Sequence, residues 1–241
     1  MTYAPALTLL LFLLVCSALL VGPFVPAWRE WQHPTDRQAL RPAAAADPPP
    51  DIRSGRLVAL AHNACFRGIE APVIVFGRQR AAPSVSAGRP LPLHDHPLTP
   101  HAPLPGAQAW GDGGWRVEGD CNLQGHRHWQ GSLVVTGLLS VGAGAWVQGD
   151  VKAHRGIVIG MGAVMDGSVI SDQGIRVFSD AVIGGPVLAE SLLQLGSGVR
   201  LGSPQAPTSV SAGHMLMDDG VVVHGSVQAA QAGLVRGASW A

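Results

Sequence analysis

The chain has 241 residues, of which 13% are charged, with 16 basic against 16 acidic side chains and Lys152 as its single lysine. No basic face is available to follow a phosphate backbone, which speaks against nucleic acid as a partner. Three widely spaced cysteines, Cys16, Cys65 and Cys121, form neither a disulfide framework nor a CxxC metal pair and read as small apolar residues.

Residues 6–25, ALTLLLFLLVCSALLVGPFV, carry no charge and are long enough as a helix to cross about 30 Å of hydrocarbon. A retained transmembrane anchor over residues 1–27 is expected. A cleaved signal peptide is the competing reading; it asks for a basic start and a small-x-small site, and only Val25-Pro26-Ala27 comes near. A lipoprotein signal ending at Cys16 is weakened by Val15. Arg29, Arg37 and Arg41 follow the run and none precedes it, so the positive-inside tendency puts the remainder in the cytoplasm, with Trp28 and Trp31 at headgroup level.

Residues 28–110 read as a juxtamembrane segment and Pro/Ala-rich linker. Consecutive prolines in PAAAADPPPD, residues 42–51, block helix and ladder alike. The next stretch, 52–77, predicts a short helix over 57–66 and a strand over 73–76 that could dock on the rest of the chain or on a membrane. Residues 81–109 return to a Pro/Ala composition and read as a tether. It carries His94, Asp95, His96 and His101, which could bind a metal. Pro92, Pro97 and Pro100 interrupt that cluster, and a polar spacer is the simpler account.

Residues 111–241 hold an eighteen-residue rhythm. Blocks start at Val141, Ile159, Val177 and Leu195, with apolar seventh positions at Val147, Met165, Ile183 and Leu201. The eleventh positions are Val151, Val169 and Val187, then Gln205. HWQGSLVV, from His128, anticipates the pattern, and VVHGSVQA, from Val222, restates it after SPQAPTSVSAG and a shift of four residues. A fixed period of this kind marks stacked rungs, about six here. Each block has three apolar stretches, so three short parallel strands can close a triangle with an aliphatic inside. The core is expected to hold the eleven positions Val141, Val147, Val151, Ile159, Met165, Val169, Val177, Ile183, Val187, Leu195 and Leu201. Corners are expected at Gly131, Gly149, Gly167, Gly185 and Gly225, where glycine permits the φ a corner needs. The fold class expected is all-β.

Two families share such a rhythm. Hexapeptide acyltransferases repeat [LIV]-[GAED]-x-x-[STAV]-x, but hexads at Ala153, Ser171 and Ala189 break it at the first position and again at Ile157, Ile175 and Leu193. The phrases LLSVGAGAWVQGDVKAHRGIVIGMGAVMDGSVIS and VVVHGSVQA resemble the bactofilins, polymer-forming cytoskeletal proteins of bacteria, over residues 115 to 236. The resemblance implies a right-handed three-sided parallel β-helix that assembles end to end, without nucleotide or cofactor, often at the membrane. The implied partners are further copies of the chain, the inner membrane through residues 6–25, and envelope-biogenesis clients. No catalytic, cofactor or metal residue is expected.

Two alternatives stand beside this reading: an acyltransferase-like enzyme and a non-polymerising adaptor rod. The enzyme would need a histidine base beside a pantetheine groove. His126, His128, His154, His214 and His224 fall in different columns of the repeat. The tail RGASWA places Trp240 where it could cover an end of the rod or join a subunit contact.

Overall fold

Each block folds into one turn because its apolar stretches are only two to four residues long and are separated by glycine and polar residues that bend the chain. In the computed structural model the described residues are 51–77, 99–100, 102–111 and 113–237. They form a β-solenoid of about nine turns, with twenty-one strands and no helix among the described residues. The apolar run 6–25, His94, His96, His101 and Trp240 lie outside them.

The described residues begin with β1 (Ile52–Arg53), β2 (Val58–Leu60) and a long β3 (Cys65–Phe76). After β4 (Thr99–Pro100) come β5 (Gln108–Trp110), β6 (Gly114–Val117) and β7 (Cys121–Leu123). Then the rungs repeat. One holds β8 (Arg127–Gln130), β9 (Ser132–Val135) and β10 (Leu138–Val141), and the next β11 (Trp146–Gln148), β12 (Val151–Ala153) and β13 (Gly156–Ile159). A third holds β14 (Val164–Met165), β15 (Val169–Ser171) and β16 (Ile175–Val177). Later rungs fuse their strands, giving β17 (Val182–Ile183), β18 (Val187–Leu195), β19 (Arg200–Leu201), β20 (Thr208–Met217) and β21 (Val221–Val235).

Three ladders of parallel strands run along the solenoid, and each pairs residues eighteen apart. Val147 pairs with Met165 and Met165 with Ile183; Val151 pairs with Val169 and Val169 with Val187; Ile159 pairs with Val177 and Val177 with Leu195. Stacking in register puts like over like, so most inward positions are aliphatic, with Trp129 and Ser171 among the buried exceptions. The beat slips once. Leu201 pairs with Val223 and Val187 with Val210, four and five positions beyond it, and Val210 then pairs with Val227, one short. The extra residues leave as a turn closed by main-chain bonds between Ser203 and Ala206 (3.0 and 3.2 Å). Val210, rather than Gln205 at the strict eighteen-residue spacing, therefore fills the inward column.

Two expectations are corrected. Residues 57–66 are not helical: Val58–Leu60 is a strand, and Cys65 opens β3. The stack is also longer than six rungs, because residues 52–77 and 99–110, assigned from sequence to the linker, add layers at both ends. β3 pairs antiparallel with β21, from Phe76 opposite Val221 to Cys65 opposite Leu234. It thus passes over the three ladders in the reverse order of every rung beneath it. β1 and β2 pair in parallel with β3 and follow its sense. The inward residues Phe66, Ile69, Ile74 and Phe76 are fully buried, and the two phenylalanine rings lie 5.3 Å apart.

Candidate functional site

All the positions expected in the core are buried: Val141, Val147, Val151, Ile159, Met165, Val169, Val177, Ile183, Val187, Leu195 and Leu201 are each at most 2% exposed. The corner glycines have two different causes. Gly131, Gly149 and Gly225 do have positive φ (110, 138 and 127°). Gly167 and Gly185 do not; a Cβ on either would stand 2.4 to 2.5 Å from the backbone of the glycine one turn below. Close stacking, not φ, requires glycine there, which corrects the expectation for those two residues.

Beside this glycine column stands a polar one. The Asp150 amide donates to Ser132 Oγ (3.3 Å), and Asp150 Oδ1 accepts from the hydroxyl (2.6 Å) and the amide (2.8 Å) of Ser168. Those bonds, the hydroxyl's first, hold the Asp150 carboxyl below the ordinary carboxylate range. Since the folded value lies below the unfolded one, the stabilisation is complete above about pH 3.9 and is lost as pH falls through the folded value. Solvent screening keeps it small. Ser168→Ala is expected to lower stability at pH 7 by under about 1 kcal/mol, and the deficit should shrink at pH 2. Urea melts at both pH values check this; an equal deficit at both would remove the charge from the explanation.

The five histidines named from sequence stay apart, and three of them have contacts of their own. His128 stacks on Trp146 (4.4 Å) and its Nε2 lies 2.9 Å from Gln148 Oε1, while Trp146 Nε1 donates to Asp166 Oδ2 at 2.9 Å. His154 and Lys152 share Asp172, and their hydrogen bonds, that of His154 foremost, hold its carboxyl below the ordinary range. His224 is buried, with Nδ1 3.2 Å from the Pro72 carbonyl oxygen of β3. His126 adopts φ 53° at a turn, and His214 lies exposed in β20. No group of three metal-ligating side chains forms among the described residues. A shallow groove of about 840 Å³ runs where β1 and β3 meet the corners of the last rungs. Its lining includes Arg53, Glu70, Pro72, Pro186, Pro207 and Thr208.

The two ends of the stack are the remaining places where the fold leaves backbone groups to be satisfied. At one end β21 carries β3. Nine positions of β21 are in register with it, Gly220 N donates to Phe76 O (2.8 Å), and Asn63 N donates to Val235 O (2.8 Å). His62 lies 3.1 Å from Asp219, and Arg67 donates to Ala230 O at 3.2 Å. At the other end β4 covers β8, β6 covers β9, and β5 folds back antiparallel on β6. Among the described residues, β7 pairs on one side alone, with β10, and β5 on one side alone, with β6. Trp110, in β5, is 57% exposed.

Sequence reasoning missed this asymmetry of the ends. The sequence carried one signal of it, Gly233, which interrupts a column of large apolar residues. Searches with the sequence and the structure found no matching family model, curated protein or solved structure.

Proposed function

We propose that this chain is a membrane-tethered structural scaffold whose solenoid, a right-handed three-sided rod, assembles with further copies through its ends without nucleotide or metal. The observation that carries the reading is that, among the described residues, β5 and β7 each leave one strand edge unpaired, with Trp110 of β5 exposed. Main-chain edges of this kind recruit strands of a second chain. The resemblance of the repeat phrases to bactofilins points the same way. Residues 6–25 supply the tether, the solenoid faces the cytoplasm, and envelope proteins are the candidate clients. Acyl transfer is less well supported, since no histidine lines the groove described above.

The test is sedimentation and negative-stain microscopy of the full chain in a density-matched detergent, with chelator present and nucleotide absent. Species larger than the 25.0 kDa chain are expected. A strictly monomeric chain at high concentration would overturn the reading.

A further inference from the structure

The segment that closes the β21 end is out of order: residues 52–77 come early in the described chain but last in the stack. The rungs from β4 to β21 follow one another in sequence and do not depend on that segment for continuity. β21 offers an edge of fifteen residues, and its inward column is interrupted at Gly233. The residues below Gly233 in that column are Met215, Leu193 and Ile175. A Cβ on Gly233 would meet the Phe66 ring at 2.2 to 2.6 Å, so the missing side chain is the seat of the phenylalanine. Here the rod accepts a plug instead of another aliphatic rung.

The outer side of the plug differs from the β5 and β7 edges in its charge and its proline. β1 and β2 are two and three residues long. Arg53, Arg56, Arg67 and Glu70 are exposed around them, and Pro72 sits within β3. Short strands, charge and proline are the features that make an edge a poor template. The edges of β5 and β7, QAW and CNL, are also three residues long but hold neither charge nor proline.

From this asymmetry we infer that residues 52–77 are a displaceable cap that stops assembly at two copies, and that removing it from β21 converts the same chain into longer rods. The inference rests on the reading that the opposite end takes a second copy. With one end closed, two chains can only meet through like ends, and a two-fold contact of that kind closes on itself. With both ends open, each added copy presents another edge.

Two variants approach the contact from opposite sides. Gly233→Leu fills the column of the rod and leaves no room for the Phe66 ring. Phe66→Asp alters the cap alone. The full chains are compared in detergent by sedimentation and negative-stain microscopy, and hydrogen exchange over 65–76 and 221–235 reports whether the cap is released. Wild type is expected as a pair, and both variants as rods of more than two copies with protection lost over 65–76. If one variant fails to fold, the other decides. Long rods from wild type with residues 65–76 still protected would overturn the cap and leave self-assembly standing, as would variants that lose protection and remain pairs. Wild type and variants all monomeric would overturn the cap together with the assembly reading beneath it.

Discussion

Ile159→Asp is expected to unfold the solenoid. Ile159 is fully buried between Val141 and Val177, in a column that continues to Leu195, Met217 and Val235. An aspartate there has aliphatic side chains above and below it and no donor within the column, so its charge must be neutralised or exposed to water at the expense of the stack. The loss should exceed about 4 kcal/mol, against about 1 kcal/mol for Ile159→Val. Damage in the middle rungs also separates the stack into two shorter pieces, each with a new bare end. Val158→Asp, one residue back in the same strand, changes an outward side chain and should cost under about 1 kcal/mol. Circular dichroism melts of the three chains check the alternation. A lower melting temperature for Val158→Asp than for Ile159→Asp would show that the inward and outward columns have been exchanged.

Gly167→Ala is expected to have the next largest effect, although it adds one methyl group at an ordinary φ. Its Cβ would stand 2.4 Å from the Gly149 oxygen and 2.8 Å from the Asp150 nitrogen, both backbone atoms held by the ladder. Val151 N donates to Ser168 O across the same corner at 2.8 Å, so the two turns cannot separate there without losing that bond. A cost of about 3 kcal/mol follows from overpacking. Gly162→Ala is the informative comparison. Gly162 has φ 63°, but the space around its missing Cβ is open, and only the left-handed conformation opposes the substitution, at about 1 kcal/mol. Urea midpoints of the two variants separate stacking from backbone conformation as the reason for glycine. A larger loss at Gly162 would reverse that assignment.

Much of the solenoid was legible because parallel strands in register repeat their residue types at the length of one turn. Val141, Ile159, Val177 and Leu195 had to be alike if they stacked, and the four-residue slip before Val222 showed as a displaced copy of the same phrase. The reason for Gly167 was not legible, because a glycine excluded by the turn below looks in sequence like one chosen for its φ. The cap was misread for a different cause. Phe66, Ile69, Ile74 and Phe76 are spaced by three, five and two residues, because β3 bends over three ladders in turn. Irregular spacing of that kind carries no strand alternation. Its partner, β21, begins 145 positions beyond Phe76, so nothing local announces the pairing.

Phe66 and Gly233, which fill one another's space, are 167 positions apart. A chain made from its N-terminus presents the plug long before the seat exists. During synthesis Phe66, Ile69, Ile74 and Phe76 must wait unburied while the rungs form beneath β21, each nucleated by its neighbour. The last turn to be translated is the one that receives the first. A nascent chain halted before Val221 therefore carries both an unseated apolar strand and an open stack.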